Sequence, residues 1–494
     1  MSRARLSALD AAFLALESEG APMHLGWAAV FGPPDGGRTP SFEAVRDHVG
    51  SRLDRAPRYR QRLAGIPLGL GDPVWVDDPE FDIARHVRRA GQADFGALVD
   101  EVLSVALEPG RALWELWIAD GLPGGRIGVV GKAHHCLVDG LAAVELMSLL
   151  LDIAPVPEPD PADPDPPEAD WAPAPAPGRL ELVGEAVGFQ LGQAFDLARL
   201  AVGVAGDRDR LSRLPGQAWG AARALAHTAL PLAPASRLNG PMAVTRHLAR
   251  RARPLEDLRV IKRRFGATVN DVLLSASAGA LRRLMEERGE PVVEVKAMVP
   301  VSVGDLDERW GNRIAFLFLG LPCPEPDPVW RLRDVHVGMR DRKRGGEPEG
   351  ADTMLSALSL APRPVRRLAS RALASSFVSN LTISNIPGPR VPVYLLGCPI
   401  EDAYPVVPLT GGHGISIGMT SVGDRACFGV YAQTELAEDA ERVAGGIDEA
   451  IDELLDRCEE SPARAGPGGG PGREGPPPRA TRRDARRRRP AAGG

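Results

Sequence analysis

Two adjacent histidines, His134 and His135, are followed at fixed offsets by Asp139 and Gly140, and these residues are suited to acid–base chemistry. A neutral imidazole accepts a proton near pH 7, and a positioned general base accelerates a reaction by about 10²–10⁴-fold. The aspartate can orient an imidazole or anchor the loop, and the glycine lets the backbone turn without a Cβ atom. We interpret residues 134–140 as a candidate active site.

Residues 134–140 also allow interpretations other than an active site. The histidines could be structural residues that are satisfied by main-chain hydrogen bonds. We expect no metal site, because adjacent residues of a strand face opposite ways and the chain lacks cysteine and histidine spacing typical of zinc. Cys136 could be proposed as a nucleophile, but we expect a small buried thiol instead.

The flanking sequence predicts how the histidines are positioned. Residues 126–133 form a short apolar run after the turn residues 122–125, and this pattern predicts a buried strand. Downstream, apolar residues recur at the three- and four-residue spacing of an amphipathic helix, at Leu141, Val144, Met147 and Leu151. The histidines therefore lie at a strand-to-helix junction, where scaffolds commonly present catalytic groups.

Further blocks in the chain extend the pattern of the heptad HHCLVDG at residues 134–140. They are LSALDAAFL (6–14), PMHLG (22–26), LWELW (113–117), LNGP (238–241), NDV (270–272), GNR (311–313) and SNIPGP (384–389). In this order the blocks resemble the bacterial wax ester synthase/diacylglycerol acyltransferase family, within the acyl-CoA-dependent acyltransferase superfamily. One departure is Ala112, which stands where the family has the proline of its Pro-Leu-Trp-Glu block.

The resemblance implies an α/β fold of two chloramphenicol-acetyltransferase-like halves, with the active-site channel between them. It implies transfer of a long-chain acyl group from acyl-CoA to diacylglycerol or a fatty alcohol, without a cofactor or a covalent enzyme intermediate. By the same resemblance His135 is the general base, His134 supports it, and Asp139 and Gly140 hold the loop. The alternatives are a condensation-type acyltransferase that uses carrier-bound donors, and an inactive lipid-binding paralogue.

Two further pairs are candidate substrate-binding residues. Asn270 and Asp271 open a predicted helix that runs to about residue 287, and a helix N-cap is as good an interpretation as a role in the site. Ser384 and Asn385 are candidate oxyanion donors, although a structural turn at residues 385–389 explains them equally well. Strands are predicted at residues 295–303, 314–321, 379–384, 414–419 and 426–430.

Composition favours a globular protein, with 44% hydrophobic and 25% charged residues over 494 positions. No apolar run is long enough for a transmembrane helix. The five widely spaced cysteines favour a reducing compartment without disulfides. We expect a cytoplasmic protein that contacts the inner membrane face or lipid droplets, and we expect no nucleic acid partner.

The predicted organisation has five parts: an N-terminal half (1–153), a Pro/Asp-rich linker (154–178), a helical connector (179–240), a C-terminal half (241–460) and a disordered tail (461–494). In the connector, apolar residues share one helical face, which we expect to pack in the core, with a membrane- or acyl-facing surface as the alternative: Val187, Leu191, Phe195, Ala198 and Val202. The arginine-rich tail is expected to be solvated, with attraction to anionic lipid headgroups or nucleic acid as alternatives.

Overall fold

The computed structural model describes residues 5–91, 94–137, 149–156, 171–206, 231–303, 313–345 and 363–460. Its strands are β1 (His24–Phe31), β2 (Gln61–Ala64), β3 (Val74–Asp77), β4 (Val87–Arg89), β5 (Trp114–Leu122), β6 (Arg126–His134), β7 (Arg246–Pro254), β8 (Val295–Val303), β9 (Arg313–Leu321), β10 (Leu381–Ile386), β11 (Tyr394–Leu395), β12 (Cys398–Val406), β13 (Ile415–Val422) and β14 (Arg425–Gln433). Its helices are α1 (Ala8–Leu16), α2 (Phe42–Gly50), α3 (Ile83–His86), α4 (Phe95–Ser104), α5 (Arg179–Gly206), α6 (Leu255–Phe265), α7 (Val269–Glu287), α8 (Pro328–Arg344), α9 (Arg363–Leu373) and α10 (Ala437–Glu459).

The strand that carries the histidine pair lies in the middle of a six-stranded sheet with the order β11-β12-β1-β6-β5-β4. Strand β6 is buried along nearly its whole length, as the apolar run predicted. Two of its glycines admit aromatic rings, because a Cβ atom at Gly131 would lie 2.5 Å from the Trp27 ring and one at Gly128 equally close to Phe95. The strand is therefore held from both faces.

A second six-stranded sheet, with the order β7-β14-β13-β10-β8-β9, forms the C-terminal half. The strands predicted in this region are confirmed as β8, β9, β10, β13 and β14. Helices α6, α7 and α10 pack with this sheet in a common apolar core. Helix α7 matches the predicted helix, but its N-cap is Thr268, so the expectation of Asn270 or Asp271 as the cap was wrong. Asp271 instead closes a capping box from the third helical position.

Strand β12 connects the two sheets. It pairs antiparallel with β1, so residues 394–406 complete the N-terminal sheet although the sequence assigned them to the C-terminal half. Its Pro405 also lies against glycines of the other sheet, since a Cβ atom at Gly429 would be 2.2 Å from the Pro405 carbonyl oxygen. A strand with hydrogen bonds in one sheet and close packing on the other fixes their relative position. The α/β architecture with two sheet-based halves is confirmed.

Helix α5 presents its apolar face outward. Leu182 and Ala186 are buried, whereas Leu180, Val187 and Leu191 lie on the opposite face and are exposed, Leu180 by 89% and Leu191 by 66%. The expected core packing of this face was therefore wrong for Val187 and Leu191, and Phe195 is also exposed. The side chains of Ala198 and Val202, the helix predicted after the histidines up to residue 148, and the tail lie outside the described residues. Within the described part, no helix is long and apolar enough to cross a membrane.

Candidate active site

Main-chain hydrogen bonds fix the histidine pair at the end of β6. The His134 N–H donates to the carbonyl of Leu113 at 2.9 Å, and the His135 N–H donates to the carbonyl of Met23 at 2.8 Å. The chain then turns, with the Leu137 N–H donating to the His134 carbonyl at 2.8 Å. The loop is thus tied to the segments that lead into β5 and β1. Asp139 and Gly140 lie outside the described residues, and their predicted roles stay predictions.

The ring of His134 is used inside the loop. Its Nδ1 atom accepts a hydrogen bond from the Cys136 N–H at 3.1 Å. Nδ1 therefore lacks a proton in the neutral ring, and the proton is on Nε2, which lies 3.6 Å from a carboxylate oxygen of Glu17. Burial, with a smaller effect of neighbouring His135, lowers the pKa of His134 to about 4. This geometry suits the supporting role that was predicted for it.

His135 presents a neutral imidazole. Burial lowers its pKa to about 4, and a hydrogen bond to its own main-chain carbonyl opposes part of that shift. The buried Nδ1 atom finds no acceptor in another residue of the described part. A neutral imidazole keeps one ring nitrogen with a lone pair, and that nitrogen can accept a proton. The ring is also stacked on Phe13 of α1, with centroids 3.5 Å apart and planes at 21°.

A third histidine, His24, belongs to the same cluster and was not among the predicted site residues. In the antiparallel pairing of β1 and β6 it lies directly opposite His134, so both side chains are on one face of the sheet. It is 1% exposed, and burial together with the charges of Lys132 and Arg246 lowers its pKa to about 3. The sequence block at residues 22–26 contained it, but only the strand register places it beside His134.

The LWELW block supports the active-site strand. Trp114 pairs with Ala133 across β5 and β6, and its indole N–H donates to the carbonyl of Tyr59 at 2.7 Å. Glu115 lies 3.2 Å from the ammonium of Lys132, which is 1% exposed. A buried tryptophan and an ion pair with a buried lysine thus hold β5 against β6, which makes the contribution of the block to the site one of positioning.

The four predicted substrate-binding residues lie in the C-terminal half. Asp271 is buried, and its carboxylate accepts hydrogen bonds from the Thr268 N–H at 2.9 Å and from Nδ1 of His336 at 2.8 Å. Asn270 is half-buried in the first turn of α7. Ser384 and Asn385 are half-buried on β10, opposite Gly418 and Met419 of β13. The strand continues to Ile386, so Asn385 precedes the turn, and a substrate role for these four residues stays a prediction.

The thiol of Cys136 is not suited to nucleophilic attack. The residue is buried, and burial together with the nearby carboxylates raises the pKa of the thiol far above its ordinary value. The expected buried thiol is confirmed. Among the described residues, no three side chains of histidine, cysteine, aspartate or glutamate converge as a metal site.

The two sheets joined by strand β12 form a fold that is shared with peptide-synthetase condensation domains. The first condensation domain of the CDA synthetase superposes with a TM-score of 0.54 at 16% identity, covering 92% of this chain and 97% of that chain. The wax ester synthase/diacylglycerol acyltransferase from Marinobacter aquaeolei VT8 gives a TM-score of 0.63 at 23% identity, covering 92% of this chain and all of the other.

Sequence comparison narrows the class to one family. Residues 6–273 match the wax ester synthase/diacylglycerol acyltransferase catalytic domain, and residues 310–455 match the WS/DGAT C-terminal domain. A probable diacylglycerol O-acyltransferase of Mycobacterium tuberculosis is 30% identical over 470 residues, which cover 91% of this chain and 95% of the relative. The chain belongs to the wax ester synthase/diacylglycerol acyltransferase family.

Proposed function

We propose that this chain transfers a long-chain acyl group from acyl-CoA to diacylglycerol, with His135 as the general base. The observation that carries the proposal is the neutral imidazole of His135, a residue whose main-chain N–H is fixed to Met23 at the end of a strand. Nε2 takes the proton of the acceptor hydroxyl as that oxygen attacks the thioester carbonyl. The tetrahedral adduct then collapses and expels the CoA thiolate, a good leaving group because thiols have a pKa of about 8.5. The thiolate takes the proton from the imidazolium, which gives free CoA and regenerates the neutral base.

Diacylglycerol is favoured as the acceptor because the mycobacterial relative carries the name of a diacylglycerol O-acyltransferase. A fatty alcohol, which gives a wax ester, is the second candidate, since the Marinobacter enzyme of the same fold is a wax ester synthase as well. Both reactions use the same base and donor, so they differ only in how the acceptor is bound.

The test uses purified protein with palmitoyl-CoA and either diacylglycerol or hexadecanol, with the free CoA thiol and the neutral lipid product both quantified. We expect His135→Ala to lose at least about 10²-fold in rate, the lower range for a general base. Cys136→Ala is the matched loop control and should keep its activity, because the thiol is buried and protonated. Equal CoA release by wild type and His135→Ala refutes the mechanism, and reaction with carrier-linked donors alone supports the condensation-type alternative.

We further propose that the protein contacts an anionic phospholipid surface through its exposed apolar residues. The apolar stripe of α5 (Leu180, Val187 and Leu191) faces away from the packed side of that helix. A neighbouring turn adds Leu68, which is 91% exposed and held at a positive φ of 60°. Exposed apolar patches of this kind mark interaction sites on proteins.

Helix α9 supplies the charge that suits such a surface. It carries four arginines and no acidic residue, and its Val365 and Leu368 are exposed. The helix lies beside the turn that presents Leu68, because Arg363 donates to the carbonyl of Gly71 at 3.2 Å and Arg366 pairs with Asp72. A basic side chain near an anionic leaflet contributes about 1 kcal/mol. The α5 stripe, Leu68 and α9 therefore form one candidate docking surface.

Sedimentation with vesicles tests this docking surface. We expect binding to phosphatidylglycerol vesicles that exceeds binding to phosphatidylcholine vesicles and weakens in high salt. The double variant Leu180→Ser/Leu191→Ser should reduce binding, whereas Trp330→Ala, which removes an exposed aromatic residue of α8, should not. Equal binding by the double variant and the wild type contradicts this surface, while the acyltransfer assay with detergent-dispersed substrates tests the chemistry separately.

A further inference from the structure

Helix α1 carries an aromatic ring directly over the candidate base. Phe13 is 8% exposed, and its ring is nearly parallel to the imidazole of His135 at a centroid separation of 3.5 Å. The helix is anchored at its start by a capping box between Ser7 and Asp10. At its other end, Arg371 of α9 donates to the Ala15 carbonyl at 3.2 Å. The Phe13 ring is therefore held in place from both ends of its helix.

This contact restricts the imidazole in two ways. A stacked ring prevents rotation of the His135 side chain and covers one imidazole face against water. It also presents the electron-rich face of a benzene ring to a group that becomes a cation when it accepts a proton. We propose that Phe13 is the positioning residue of His135, fixing the imidazole plane and stabilising the imidazolium that forms when the base takes the acceptor proton. This inference rests on the proposed role of His135 as base.

Among the described residues, no charged group shifts the pKa of His135, which leaves this role to the aromatic ring. The residue before it, His134, has a lowered pKa and is neutral, and burial raises the pKa of the thiol of the residue after it, Cys136, which keeps that thiol protonated. At the end of α1 the carboxylate of Glu17 faces Nε2 of His134 rather than His135. A desolvated cation over an aromatic face gains up to about 2 kcal/mol, which corresponds to about 30-fold in rate. The Phe13 contact is therefore large enough to be measured in the catalytic step.

Two substitutions at this position separate the stacking role from simple space filling. Phe13→Leu keeps the site apolar and dry but removes the aromatic face. For Phe13→Leu we expect a fall in kcat of about 5- to 30-fold with little change in the KM for acyl-CoA. The acid limb of its kcat/KM profile should lie at the same pH as in the wild type or at a lower pH. Phe13→Ala admits water, which favours the charged imidazole, so its acid limb should move to higher pH.

Matched variants complete the design. Phe13→Tyr keeps the aromatic face and should restore most of the rate. Phe42→Leu makes the same substitution at a phenylalanine of α2 that is also 8% exposed, and it should have the kcat of wild type. Thermal unfolding of each variant establishes that the proteins compared are folded.

A double-mutant cycle with His135→Ala decides whether Phe13 acts through the base. We expect Phe13→Leu to have no further effect on the residual rate of His135→Ala. A wild-type kcat in folded Phe13→Leu overturns the proposal. So does an acid limb of kcat/KM that moves to higher pH by the same amount in Phe13→Leu and Phe13→Ala, because a side chain that only fills space would produce that result. A Phe13→Leu effect that persists without the imidazole also overturns it, whereas full activity of His135→Ala alone refutes the proposed base itself.

Discussion

Replacing His134 separates a residue that shapes the catalytic loop from one that takes part in the chemistry. The amide oxygen of asparagine occupies nearly the position of Nδ1 in histidine, so His134→Asn keeps an acceptor for the Cys136 N–H. His134→Ala removes that acceptor and also leaves a cavity at a residue that is 2% exposed. Neither variant keeps the Nε2 proton that faces Glu17. The pair of variants therefore isolates the hydrogen bond inside the loop.

The expected losses of stability and activity follow from the hydrogen bond between the Cys136 N–H and His134. A buried N–H without an acceptor costs about 1–3 kcal/mol, and the cavity adds to this in the alanine variant. The loop carries His135 in the next position, and a displacement of about 1 Å in a catalytic group costs about 10²-fold in rate. We expect the thermal midpoint to be highest for the wild type, lower for His134→Asn and lowest for His134→Ala. In the CoA-release assay we expect a loss of about 10²-fold for the alanine variant and much less for the asparagine variant.

Two results would refute this reasoning. A His134→Asn protein that unfolds at the wild-type temperature but is as inactive as His135→Ala would mean that the Nε2 proton of His134 takes part in the reaction. A His134→Ala protein with wild-type activity would mean that the bond to the Cys136 N–H does not position His135. Circular dichroism of each variant at the assay temperature is the control for folding.

Three other perturbations test how the scaffold holds the site. Desolvation lowers the pKa of four histidines (His24, His134, His135 and His413) to about 3–4 in the folded protein, whereas the ordinary histidine pKa is 6.5. Below pH 6.5 the unfolded chain therefore binds more protons than the folded protein. The thermal midpoint should thus be highest above pH 6.5 and fall as the pH approaches 4, and a midpoint independent of pH would contradict this. Asp271→Asn weakens the capping box and the contact with His336. It should lower the free energy of unfolding in denaturant by about 1–2 kcal/mol without raising KM. A raised KM at unchanged stability would support a role in substrate binding instead. Gly429→Ala forces a Cβ atom against Pro405 and should lower both stability and kcat, whereas Gly445→Ala, with open space around it in α10, should not.

Local patterns were sufficient where an element is defined by its own residues. The apolar run before His134 predicted β6, and the spacing after residue 270 predicted α7, because burial and helical periodicity are properties of a short segment. The N-cap was misplaced because Thr268 and Asp271 share the cap, and a capping box uses both positions. A pattern of apolar residues also does not show whether a helix face packs in the core or lies at the surface. The face with Val187 and Leu191 was therefore assigned to the core, although both residues are exposed.

The parts of the site that depend on distant pairing were beyond such patterns. His24 comes beside His134 only through the register of β1 against β6. Nothing in the residue types of β12 indicates that this strand pairs with β1. Phe13 reaches His135 because α1 packs over the end of β6, a contact between residues far apart in the chain.

The position of His135 is therefore a property of nearly the whole chain. His135 is tied by its N–H to Met23 and through His134 to Leu113, while Phe13 covers its ring. Met23 precedes β1, which is paired with β12, and β12 is packed through Pro405 on the C-terminal sheet. A change in the C-terminal half can thus displace the imidazole without touching the heptad.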